Sequence, residues 1–295
     1  MEGSPRRNNT APHPPPLPLD SHPMTLPIAT LALWLAVAAY LSLSWHFIAH
    51  ARGKPVIPRC VRNEHALIGL ALAGHFVSLI AQSENGLLSF GVGHALSMVM
   101  WLTVLMYWTA SFFYSLEGLQ AFLMPMAVIG LLAAWLLPPA HTLYNLQQPT
   151  VLLHIGVSLA AYSLLLVAAT LAMLMAVLDH ALHAKRFSPI IRQLPPLLSL
   201  EKLLFQVLGV GFVLLTLTVF SGAFFSEHLF GKPFTFSHKT VFSLAAWGIF
   251  AGLLWGRVRH GWRGRLAIRW TLTGFGFLLL SYMGSKVVLE LLLGR

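Results

Sequence analysis

Two histidines, His154 and His238, each stand near the opening of a long apolar stretch, and a loop dense in phenylalanine lies just ahead of the second. Neutral imidazole is a ligand for haem iron, and two imidazoles on facing helices can fill both axial positions. A flat apolar macrocycle also requires aromatic walls, and its propionates require cations. Phe224, Phe225, Phe230, Phe234 and Phe236 are placed to supply the walls, and Lys232 and Lys239 the cations. The plainer reading is that aromatics and cations form the ordinary interfacial belt of a membrane protein. His75, His94, His141 and His228 fall at the same depth. A histidine inside a membrane helix ordinarily faces the bundle and bonds a neighbour, because an unsatisfied polar group in hydrocarbon costs several kcal/mol. His75 and His94 therefore read first as structural, with His94 the reserve iron ligand.

The elements that position these residues follow from composition. Hydrophobic residues make up 57% of the chain and charged residues 9%, whereas a soluble domain carries about 25% charged residues. Apolar blocks run from Leu26 to Ile48, Ala66 to Ala81, Leu87 to Ala110, Leu119 to Leu137, Val151 to Leu178, Leu203 to Phe225, Val241 to Trp255 and Leu266 to Leu293. Each approaches the roughly 20 residues needed to cross about 30 Å of hydrocarbon. The fold class is all-α: a polytopic membrane protein built as a bundle of eight transmembrane helices. A barrel would show alternating rather than solid apolar runs.

Most of the 19 Lys and Arg residues fall after the first, fifth and seventh blocks: Arg52, Lys54, Arg59, Arg62; Lys185, Arg186, Arg192, Lys202; Arg257, Arg259, Arg263, Arg265, Arg269. The positive-inside rule puts these turns in the cytoplasm and both termini outside, in the periplasm of a bacterial inner membrane. The net charge of +10 is thus divided among short turns that meet anionic lipid headgroups, and the chain has no continuous basic face for nucleic acid.

Residues 1–23, with Pro12, Pro14, Pro15, Pro16, Pro18 and Pro23, read as a disordered tail ahead of a single transmembrane domain over 24–295. Cys60 is the only cysteine, which excludes an internal disulfide, a dithiol relay and a covalent c-type haem site. Near the outer end of the last block, Lys286 and Glu290 share a helix face and read as snorkelling anchors. Membrane-embedded carboxylates of the kind an ion-coupled permease uses are scarce.

Three segments, Leu208-Gly-Val-Gly-Phe212, Leu215-Thr-Leu-Thr218 and Ser221-Gly-Ala-Phe224, together with His154, Ser158 and Tyr162, carry a resemblance. They resemble the cytochrome c assembly protein family, the CcsA-type and HemX-type haem-handling membrane proteins, over most of residues 24–295. Because the resemblance begins near Met24, that methionine is the expected native start. The resemblance implies that His154 is an outer haem ligand. Where haem-exporting members carry tryptophans and an aspartate, this chain has Phe230-Gly231-Lys232-Pro233-Phe234-Thr235-Phe236-Ser237, followed by its own pair His238-Lys239. Phenylalanine keeps a stacking face and loses the indole donor. Trp255 stands where those members have an inner histidine, and their C-terminal His-Ser-Tyr-Gly has no counterpart before Arg295. Gly261-Trp-Arg-Gly264 is a further feature of this branch.

The expectation is a haem-handling factor, not an enzyme. It would hold haem b at the periplasmic face between His154 and His238, with the Phe loop as a shelf, and present it to a membrane or periplasmic partner that brings thiols. The alternative is a regulatory or structural membrane subunit without haem, acting through a partner protein.

Overall fold

The computed structural model describes residues 25–81, 87–89, 91–114, 116–137, 143–145, 149–184, 194–224 and 238–281. Among them are eight helices: α1 (Thr25–Ala51), α2 (Val61–Ile80), α3 (Val92–Ala110), α4 (Gln120–Leu136), α5 (Pro149–His183), α6 (Leu197–Phe224), α7 (His238–His260) and α8 (Arg265–Leu279). Six of these are long and apolar enough to cross a membrane, and α4 is a shorter apolar helix of the same bundle. The chain is an all-helical, multi-pass membrane protein. The Pro-rich tail lies outside the described residues.

Successive helices run in alternate directions, so one end of the bundle collects the openings of α3, α5 and α7 and the other the basic turns. At the first end a two-stranded antiparallel ribbon joins the α2–α3 and α4–α5 connectors, β1 (Leu87–Ser89) pairing with β2 (Leu143–Asn145) in the register Leu88↔Tyr144. Here the sequence expectation is corrected: the block from Leu87 begins as strand, and helix starts only at Val92. Gly91 takes an extended conformation at the N-cap and separates the two. Helices α1, α2, α5, α6 and α7 outrun their apolar blocks at one end or both, because polar and charged turns continue the helix to the interface. Thus α7 includes His238 at its start and runs through Arg257 and Arg259 to His260 at its end, the two arginines complementing the carboxyl end of the helix dipole.

The longest helix, α5, has 35 residues and extends about 50 Å, well beyond the roughly 30 Å hydrocarbon layer. It is also the axis of the core: Leu165, Leu171, Leu174 and Met175 are fully buried. Against it pack α6, α8 and α3, while α1 packs on α2 and α4, and α3 on α4. Small residues set the closest approaches, as expected where lipid gives helices no hydrophobic drive to associate. Gly93 meets the Ala133 carbonyl of α4, and Gly211 of α6 seats the Leu165 side chain, which lies 3.1 Å from where a β-carbon would stand.

Candidate functional site

His154 lies in the second turn of α5, half-buried, with its imidazole turned to α6. Nδ1 is 2.8 Å from Ser221 Oγ. Ser221 Oγ also lies 3.2 Å from the Thr218 carbonyl; when the hydroxyl donates there, the ring supplies the proton for the shorter bond. In that tautomer Nδ1 carries the proton and Nε2 is the basic nitrogen. The ring edge at Cε1 faces Gly222, 3.6 Å from its β-carbon position. Lys239, the second residue of α7, is near enough for its charge to act on the imidazole. His238 opens the same helix and is exposed. The ends of α5 and α6 thus bring His154 and Ser221 together, with Lys239 at the start of α7 within electrostatic reach and His238 its neighbour in sequence.

The other residues of the α5 face hold this end in place. Ser158 donates to the His154 carbonyl, 2.6 Å, one helical turn back. The Tyr162 hydroxyl bonds Ser281 of the segment following α8. Ser281 in turn donates to the Lys239 carbonyl, 2.9 Å, and sits 2.6 Å from Ser243 Oγ. Positions 154, 158 and 162 recur every four residues and so lie on one face. That face engages α6 through His154 and reaches α7 and α8 through Tyr162. Deeper along the seam, Trp247 of α7 donates its indole N–H to Thr216 Oγ1, 2.9 Å, and stacks on Phe212 with ring centroids 5.7 Å apart.

His94 is in a different part of the bundle. It is buried at the start of α3, within electrostatic reach of His75. His75 is fully buried with Nε2 2.9 Å from Ser97 Oγ, and its ring meets Tyr40 edge-on at 5.9 Å. The reading of His75 as a bundle-facing histidine bonded to a neighbour holds here. Phe225, Phe230, Phe234, Phe236, Lys232, His141, His228, Lys286 and Glu290 lie outside the described residues. Among the described residues no group of three or more His, Cys, Asp or Glu side chains is arranged to hold a metal ion.

Sequence reasoning missed the partners that orient these groups. Ser221 was read as part of a motif, but its role depends on its reaching His154, 67 positions away in sequence. Gly261-Trp-Arg-Gly264 forms the corner between α7 and α8. Gly261 and Gly264 take φ of 66° and 60°, a region open to glycine, and Trp262 packs on Gly256 and on the Trp270 ring at 5.1 Å. The corner is clasped by Glu201 of α6, which is buried and accepts from Gly264 N at 3.0 Å and Arg257 Nη1 at 2.8 Å.

Residues 61–293 match the cytochrome c assembly protein family. The chain is 36% identical to inner membrane protein YpjD of Escherichia coli K12 over 166 residues, 56% of this chain and 62% of that protein. It is 35% identical over 142 residues to an uncharacterized 28.8 kDa protein of Azospirillum brasilense, 48% of this chain and 52% of that one. It is 32% identical over 104 residues to the cytochrome c biogenesis protein CcsA of Synechococcus elongatus, 34% of this chain and 32% of that one. In each case the match spans less than two thirds of the relative. The family match covers most of the chain and takes in every residue of the α5–α8 network, so this chain belongs to the cytochrome c assembly protein family.

Proposed function

We propose that this chain handles haem in the bacterial inner membrane as an assembly factor for c-type cytochromes, taking haem b at the end of the bundle that carries His154 and His238. The observation that carries this reading is the bond from His154 Nδ1 to Ser221 Oγ, 2.8 Å. A ligating histidine typically gives its other ring N–H to a fixed acceptor, which orients the ring and raises the basicity of the ligating nitrogen. Ser221 does the first of these, and Nε2 becomes the nitrogen that would meet iron. Lys239 supplies a cation beside the ring for a propionate. His238, exposed at the start of α7, would be the second ligand, and Phe230, Phe234, Phe236 and Lys232 the shelf.

Haem, when bound, would supply the vinyl groups to which a partner's thiols add elsewhere; this chain would bind, orient and release it. Attachment needs a pair of thiols, and the chain has one cysteine, Cys60, exposed in the α1–α2 connector near the basic turns. The thiols would come from a partner at the haem-bearing face, with both termini periplasmic. The experiment is expression with haem supplied, followed by absorption spectroscopy of the purified chain. A Soret band that disappears in the His154→Ala/His238→Ala double variant is the expected result. No band in the parent, or one unchanged in the double variant, rejects the ligand assignment.

A regulatory subunit without haem is the second reading, favoured by one observation: the His154–Ser221 bond also staples α5 to α6, a sufficient structural reason for a histidine there. Normal c-type cytochrome levels in a deletion strain would support it.

A further inference from the structure

Ser281 is fully buried just past α8, the last of the stripe Ala267, Thr271, Gly274, Leu278 and Ser281 that α8 turns toward the bundle at alternating steps of four and three. Its hydroxyl is where three elements meet. Oγ donates to the Lys239 carbonyl of α7 at 2.9 Å, lies 2.6 Å from Ser243 Oγ on the same helix, and bonds the Tyr162 hydroxyl of α5. A hydroxyl has one hydrogen and two lone pairs. With that hydrogen on the Lys239 carbonyl, Ser243 and Tyr162 are the donors, and the three bonds use the whole capacity of the oxygen.

Lys239 and Ser243 stand one helical turn apart on one face of α7. A single contact would let the helix roll about its point of attachment, whereas two contacts a turn apart to one buried oxygen fix both the height and the roll of the first turn. The apolar contact beside them, between the Phe242 and Phe277 rings at 5.9 Å, has no such directionality. Through Tyr162, two turns along α5 from His154, the same oxygen is tied to the helix that carries the imidazole. We propose that Ser281 is the positioning residue of the site: acting through the α7 backbone, it sets the distance and roll of the turn bearing His238 and Lys239 relative to the His154 imidazole. The mechanical part of this stands whatever the site binds. On the haem reading, on which the spectral part of the test rests, Ser281 decides whether His238 comes to the second axial position.

Spin labels on Leu153→Cys of α5 and Val241→Cys of α7, both exposed positions, in the full-length chain with Cys60→Ser, report that distance by pulsed EPR with no haem present. Ser281→Ala should shift or broaden it by about 1–2 Å, the scale of helix shifts at packed interfaces. Ser243→Ala removes one of the two α7 anchors and should do so less. Glu201→Gln weakens the opposite end of α7, where Arg257 is held, and should leave the distance as in the parent. An unchanged distance in Ser281→Ala, or an equal change in Glu201→Gln, overturns the proposal. Should Ser281→Ala not purify, Ser243→Ala carries the test: a changed distance supports the role and an unchanged one overturns it. In haem-loaded protein, Ser281→Ala should keep a Soret band through His154 while the iron moves from low-spin toward high-spin as His238 is lost. A spin state unchanged from that of a low-spin parent overturns the ligand-setting role. A parent with no Soret band rejects the haem reading instead, and the haem-free distance still decides the role of Ser281.

Discussion

Ser221 Oγ stands 2.8 Å from His154 Nδ1 across the α5–α6 seam, and it is the side chain that decides how that imidazole points. Ser221→Ala removes the partner and leaves the histidine in place. If His154 ligates iron, haem affinity should fall about tenfold or more, the usual effect of losing such a supporting contact. Haem titration followed at the Soret band checks this. Unchanged affinity with intact protein would mean the histidine has a packing role only.

Glu201 holds the α7–α8 corner closed through Arg257 and the Gly264 amide. Glu201→Ala leaves both donors without their carboxylate and should destabilise the chain by about 1–3 kcal/mol, the scale for losing hydrogen bonds to a charged group at a part-buried site. Glu201→Gln keeps a neutral acceptor and should cost clearly less. Thermal or SDS-induced unfolding of the two variants, compared with the parent, gives the difference. Equal losses would show that charge is not what the corner needs.

Gly93 is the contact point between α3 and α4. A β-carbon there would overlap the Ala133 carbonyl oxygen, which belongs to backbone and cannot rotate away. Gly93→Ala should therefore cost about 1–3 kcal/mol by overpacking. The displacement should also disturb the adjacent His75–Ser97 bond. Gly156 meets nothing within 4 Å, so Gly156→Ala is the control and should be neutral or mildly stabilising. Unfolding midpoints of the two variants measured side by side decide it.

Tyr162 and Ser281 form a coupled pair. Ser281→Ala leaves the tyrosine hydroxyl short of a partner and should cost about 1–3 kcal/mol, the penalty of an unmet polar group in the interior. Tyr162→Phe in the Ser281→Ala background removes that orphan, so the double variant should be more stable than the sum of the single losses predicts. A double-mutant cycle measures the coupling. Strict additivity would mean the two hydroxyls do not interact.

The number and order of the helices were legible because solid apolar runs in the sequence leave little alternative to membrane helices. Their ends were not. Hydropathy falls off at Trp255, yet α7 continues through Arg257 and Arg259 to His260, since backbone hydrogen bonding does not stop where side chains become polar. Leu87–Ser89 is as apolar as the helix that follows, and only its pairing with Leu143–Asn145 makes it strand. For the site, residue type pointed to His154. Nothing local pointed to Ser221 or to the Ser281 link, because these contacts join positions far apart in the chain.

The β1–β2 ribbon has a topological consequence. It fastens together the point where the chain enters the α3–α4 hairpin and the point where it leaves, so that pair forms a closed cassette with neighbouring ends. A cassette of two spans can be gained or lost without inverting anything downstream. The α5–α8 network would keep its sidedness in a shorter or longer relative, provided helices are exchanged in pairs.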